Sequence, residues 1–152
     1  MKNLIWNTGN QFRLVVPFTK TEKLDDGRLL IEGVATSEAL DSDNEVIDYG
    51  SAKAAMSAWP GNIREQHDPK KAVGRALEVT ADDASKQITV KAFISAGAKD
   101  TQEKVLDGTL GGFSIGGSSS KREPCKFLKS DGTEIEAKRV FIAKIGELSV
   151  VD

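Results

Sequence analysis

The sequence predicts a mainly β domain with a few helices (α+β), built as a closed or nearly closed antiparallel β-barrel flanked by helices. Three observations predict it: several short apolar runs with strand character, tight turns between successive runs, and only two helical stretches. Residues 12–18 form a first strand and residues 28–35 a second, with Leu24-Asp25-Asp26-Gly27 as the hairpin loop between them. A third strand over residues 72–80 and a fourth over residues 87–94 flank Ala81-Asp82-Asp83-Ala84-Ser85, a second hairpin. A fifth opens at Ser114 and continues toward Ser120. The last apolar run, residues 139–151, is long enough to cross the whole domain, with a bend at Gly146, and Ser130-Asp131-Gly132-Thr133 before it is a further tight turn. One helix is alanine-rich, spans residues 49–59 and is stopped by Pro60-Gly61. The other opens on the capping box Asp100-x-x-Glu103 and closes at Asp107-Gly108, with Gly108 as the left-handed C′ residue.

Composition bounds what such a domain does. At 152 residues and 16.4 kDa, with 39% apolar and 29% charged residues, the chain supports one soluble core without staples. A net charge of −2 with scattered lysines and arginines gives no electrostatic footprint for nucleic acid. One cysteine, Cys125, excludes an intrachain disulfide and fits a reducing compartment; it follows a proline in a polar stretch and reads as inert. The early apolar run Leu4-Ile5-Trp6 is broken by Asn7-Thr8-Gly9-Asn10-Gln11, so it is neither a signal peptide nor a membrane span. The chain reads as a single domain over residues 1–152. Its stop directly after an apolar strand carries the expectation that it is truncated at the C-terminal end.

Two features carry chemistry. His67 is the one histidine, and Ser114 sits inside Gly111-Gly112-Phe113-Ser114-Ile115-Gly116-Gly117. A serine hydroxyl is a weak nucleophile until a base takes its proton and amide donors meet the developing oxyanion. A histidine is the side chain suited to that role near neutral pH. Glycines on both sides leave the hydroxyl uncrowded and let backbone N–H groups come close to a substrate. Taken singly, a lone histidine also occurs as a structural residue, and a glycine-rich run as a bulged strand.

Other motifs fail on chemistry. Gly112-Phe113-Ser114-Ile115-Gly116 matches the nucleophile-elbow string, but no helical pattern follows and the histidine precedes the serine. Gly111 to Ser118 resembles a phosphate-binding loop with Gly117 where the lysine must stand. Asp41-Ser42-Asp43-Asn44-Glu45 starts like a calcium loop, then has Val46 at the glycine position and Ala52 at the bidentate glutamate position, so it reads as a surface turn before the helix. One histidine and one cysteine do not build a zinc site. A serine hydrolase with chain order His67, Ser114 and a third group remains, because a triad is a geometry and not an order. Asp68 neighbours His67 and points elsewhere. Glu147 and Ser149, two residues apart on the final strand, share one face, and either could orient the imidazole. A rim glutamate facing solvent is the other reading of Glu147.

These residues resemble a known family. The strand and acidic loop from Ile31-Glu32-Gly33-Val34-Ala35 to Asp41-Ser42-Asp43-Asn44-Glu45-Val46-Ile47 form one element of the likeness. Glu65-Gln66-His67-Asp68-Pro69 leading to Val73-Gly74-Arg75 forms a second. Gly108-Thr109-Leu110-Gly111-Gly112-Phe113-Ser114-Ile115-Gly116-Gly117, with Glu147-Leu148-Ser149-Val150-Val151 at the end, forms a third. From residue 28 onward the pattern resembles the phage prohead (head-maturation) serine proteases, related in fold to herpesvirus assemblin. The resemblance implies an assemblin-like barrel with Ser114 as nucleophile and His67 as base. Assemblin-type enzymes use a second histidine, which this chain lacks; an acid on the final strand is the phage-type expectation, and Glu147 fits it. The resemblance further implies cleavage of scaffold and major capsid protein in the host cytoplasm, inside the assembling prohead, with self-processing. It implies no cofactor or metal, no nucleic acid or membrane partner, and leaves room for a homo-oligomer. Gly117 departs from the pattern, where a bulkier residue is expected. A catalytically silent barrel serving as a structural module of a phage head or tail is the alternative.

Overall fold

The computed structural model describes residues 4–8, 11–40 and 43–152, with side chains described from residue 17 onward. In chain order its elements are β1 (Leu4–Thr8), β2 (Gln11–Lys23), β3 (Leu29–Ser37), β4 (Glu45–Ile47), α1 (Tyr49–Ala58), β5 (Asn62–Glu65) and β6 (Ala72–Asp82). They continue with β7 (Gln87–Ile94), α2 (Lys99–Leu106), β8 (Gly112–Leu128) and β9 (Glu134–Val151). The fold is mainly β, and the sheet closes on itself. The circuit β2-β3-β7-β6-β5-β9-β8 returns to β2, because β8 pairs antiparallel with both β9 and β2.

Closure follows from alternation along the strands. Every second residue of β3 and β7 is buried, so Leu29, Ile31, Ile88, Val90, Ala92 and Ile94 point inward at 0% exposure. Ile63, Phe113, Ile115, Leu148 and Val150 complete the same cluster from β5, β8 and β9. α1 packs Ala52, Ala55 and Met56 against this core. Its first turn is capped by the Asp48 carboxylate, which accepts from the Ser51 N–H at 2.9 Å.

The barrel differs from an all-antiparallel one at a single seam. β5 runs parallel to β9, with Ile63 opposite Leu148 and Glu65 opposite Val150. β4 runs parallel to β9 lower down, with Ile47 opposite Val140. Since β8 occupies one edge of β9 along its length, β4 and β5 share the other one after the other, and α1 carries the chain from the first to the second. Asp43 and Asn44 are exposed turn residues, as expected of a surface turn, while Glu45 already belongs to β4 and is buried beside Arg122 at 3.1 Å. Asp41 and Ser42 lie outside the described residues.

Two further expectations are corrected. The last strand begins at Glu134, and β8 runs on to Leu128, so the two form one long hairpin around Ser130-Asp131-Gly132-Thr133. Asp100 and Glu103 form no capping box: the N-cap of α2 is Ala98, with no side-chain cap bond, which places Asp100 inside the first turn. There its charge still complements the helix dipole. At the other end Gly108 has φ +87°, as a C′ residue must. The expected bend at Gly146 is a β-bulge: Gly116 faces Glu147 and Gly117 faces Ile145, leaving Gly146 unmatched in the β8–β9 register. Among the described residues no helix is long and apolar enough to cross a membrane.

Candidate active site

The site is written into the pleat of two neighbouring strands and one turn. Phe113 and Ile115 of β8 point into the core, so Ser114 between them faces the outside of the barrel. On β9, Leu148 and Val150 point inward and leave Glu147 and Ser149 on that outer face. Register sets Ser114 opposite Ser149 and Gly116 opposite Glu147. The chain leaving β5 folds back over β9, tied down by the Gln66 N–H to the Val150 carbonyl at 3.0 Å. This brings His67 above the two strands.

The turn that delivers His67 is strained. Gln66 and His67 have φ of +52° and +57°, and the Asp68 N–H closes onto the Glu65 carbonyl at 3.0 Å. Two successive positive φ values inside a four-residue turn mark type I′, normally an Asn-Gly turn. Side chains with a Cβ there cost on the order of 1–3 kcal/mol each and persist where their surroundings over-determine them. Here three bonds do so: those of Gln66 and Asp68, and the His67 N–H to Ser149 Oγ at 3.2 Å.

The side chains form a continuous chain. Ser114 Oγ lies 2.8 Å from His67 Nε2, and His67 Nδ1 lies 2.5 Å from Glu147 Oε1. A carboxylate only accepts, so the proton sits on Nδ1, and bare Nε2 accepts from the serine hydroxyl. Ser149 Oγ donates to Glu147 Oε2 at 2.6 Å. Of the two candidates Glu147 and Ser149, the carboxylate meets the ring, and the hydroxyl meets the carboxylate and the His67 backbone. The His67 side chain is 6% exposed and that of Glu147 14%, so their pairing is largely shielded from water.

Two of the glycines also make room for their neighbours. A Cβ on Gly116 would stand 2.0 Å from Glu147 Oε1, and one on Gly117 2.2 Å from the Lys144 carbonyl. Gly116 thus leaves the space in which the carboxylate reaches His67, and Gly117 admits the backbone of the bulged β9. Gly117 in place of a bulky residue therefore accompanies a tight strand crossing. Neither Gly116 nor the Gln66–His67 turn carries a signal for its role in the sequence alone; the cross-strand register supplies the first and the backbone angles the second.

Behind the turn, the carboxyl group of Glu65 is 6% exposed and receives the Thr101 hydroxyl at 2.8 Å and Lys71 Nζ at 3.1 Å. Burial by itself pushes this carboxyl up, but the Thr101 hydrogen bond, Lys71 and nearby Lys104 outweigh it and hold it below the ordinary carboxylate range. Asp68 plays no part in the chain of contacts; its carboxylate caps the Lys70 N–H at 2.9 Å. Cys125 lies on the distant part of β8. Among the described residues no group of three or more histidine, cysteine, aspartate or glutamate side chains is arranged to hold a metal ion.

Ser114 itself is fully buried at 0% exposure, although it faces outward. Another molecule reaches its Oγ only when a neighbouring segment moves.

The closed, mainly β barrel with its two helices is similar in fold to a solved structure. The bacteriophage T4 capsid assembly protease, gp21, has a solved structure that matches 95% of this chain and 96% of its own, at a TM-score of 0.54 and 13% identity. That likeness is one of fold. No protein-family model matches the sequence, and no curated protein matches it.

Proposed function

We propose that the protein is a serine endopeptidase of the phage prohead type, with Ser114 as nucleophile, His67 as general base and Glu147 as the orienting acid. The observation that carries this reading is the unbroken Ser114–His67–Glu147 chain at 2.8 and 2.5 Å, on two strands and a turn that share no sequence neighbourhood. The fold it shares with a capsid assembly protease supports capsid and scaffold segments as substrates, cut inside the assembling head.

In the reaction, Ser114 Oγ attacks the scissile carbonyl carbon as its proton passes to His67 Nε2. The imidazolium keeps its Nδ1–H on Glu147, whose charge stabilises it. The proton then goes from Nε2 to the leaving amine as the C–N bond breaks, giving an acyl-enzyme. Water repeats the sequence: His67 takes its proton, the hydroxide adds to the ester carbonyl, and Ser114 leaves reprotonated. Extended segments suit such a site, because an edge-bound strand presents its carbonyls at fixed spacing. Burial of Ser114 makes opening of the site a step of the cycle. The same burial is the observation that favours a silent structural barrel, in which the site would never open.

Incubation with peptides drawn from phage scaffold and capsid proteins, followed by mass spectrometry, separates the two. The wild-type chain should cut at defined bonds. Ser114→Ala and His67→Ala, with the fold intact by circular dichroism, should lose about six orders of magnitude in rate. Equal cleavage by a folded His67→Ala protein contradicts the mechanism.

A further inference from the structure

We infer that Ser149 is a positioning residue that holds both His67 and Glu147 in their reactive arrangement, an inference that rests on the proposed serine-protease reading. Its hydroxyl is fully buried and does two jobs at once, donating to Glu147 Oε2 at 2.6 Å and accepting the His67 N–H at 3.2 Å. The first bond leaves Glu147 with both oxygens committed, Oε2 to Ser149 and Oε1 to the imidazole. A carboxylate gripped on both oxygens has one orientation, whereas one gripped on a single oxygen swings toward the water that its 14% exposure admits.

The second bond acts on the backbone. The His67 N–H belongs to a residue at φ +57°, a conformation a side chain with a Cβ leaves unless held. Ser149 is therefore the shared anchor of the base and of the acid, and the separation between them is set by one oxygen atom. A residue that merely filled space on this face of β9 would need no hydroxyl, and a buried hydroxyl costs desolvation unless its bonds are useful. Neither Leu148 nor Val150, which point inward, carries a polar atom.

The single histidine makes the test direct, since every imidazole signal in the spectrum belongs to His67. Proton NMR of the wild-type chain should show a sharp low-field resonance from the Nδ1–H held by Glu147. In Ser149→Ala that resonance should broaden or vanish while the amide spectrum stays folded. The rate of fluorophosphonate labelling at Ser114 should fall about tenfold, the rate equivalent of one hydrogen bond's net contribution. Ser149→Thr, which keeps the hydroxyl, should restore the resonance and the rate. Should Ser149→Ala not fold, Ser149→Cys, with its weaker donor, gives an intermediate resonance and rate if the inference holds.

A sharp resonance and full labelling rate in a folded Ser149→Ala or Ser149→Cys protein overturn the inference and leave the protease reading standing. Absence of the resonance from the wild type overturns the inference too, and with it the His67–Glu147 contact on which the protease reading rests. If Ser114 labels in no variant but the resonance still depends on the hydroxyl, the positioning role stands and the protease reading fails.

Discussion

Gly116 shows how much of this site depends on one missing methyl group. Its neighbour across the ladder is Glu147, and the carboxylate occupies the volume a side chain would take. Gly116→Ala should therefore displace Oε1 from His67 and mimic loss of the acid, with the barrel intact. Glu147→Gln keeps size and an acceptor but removes the charge that stabilises the imidazolium, and should slow cleavage by about a hundredfold or more. Steady-state rates on a cleaved peptide, with thermal melts as the control, check both. If Glu147→Gln is near neutral while Ser149→Ala is crippling, the pair is Ser114 and His67 with hydroxyl support, and the carboxylate is a bystander. At this scale the serine, the histidine and the two-residue spacing of Glu147 and Ser149 were legible from residue chemistry and strand parity. The division of labour between those two was not. It depends on which of them stands opposite a glycine.

Among the elements, the turn after β5 and the helix α2 are tied through Glu65. Its carboxylate joins Thr101 on α2 to Lys71 beyond the turn, and its carbonyl closes the turn that carries His67. Its carboxyl is held below its ordinary value in the folded chain, although burial opposes this. The sign follows: the folded state binds this proton less readily than the unfolded one, so the contribution is present above the ordinary carboxylate value of 4.5 and is lost as pH falls through the folded value. Thermal melts from pH 7 into the acid range should show the wild type losing more stability than Glu65→Gln. Parallel acid slopes for the two would show that Glu65 contributes no linkage. β3, β7, α1 and the hairpin turn at Gly27 could be read from alternation and punctuation. β4 and β5 could not, because runs of three and four residues show no period and their partner, β9, lies far along the chain.

For the whole molecule, closure of the barrel is what makes the constellation possible. β8 and β9 lie side by side along their length, while β5 meets β9 at the parallel seam, and His67 arrives by that seam. A barrel was predictable from short strands and hairpins; the seam was not, since the sequence signals of local hairpins all favour antiparallel neighbours. The closed circuit also explains why an outward-facing serine is buried: the returning turn stands over it. Access then requires a local opening, drawn from segments less stable than the barrel strands.

The most direct measurement is adduct mapping with a fluorophosphonate, which reacts only with a serine activated by a neighbouring base. After incubation long enough to sample openings, intact mass and peptide mapping of the wild-type chain should show one adduct, on Ser114. Folded His67→Ala and Glu147→Gln proteins should show little or none in the same time. A folded wild-type chain with no adduct on Ser114, or one equally modified without His67, would contradict the claim that these residues form a working serine nucleophile.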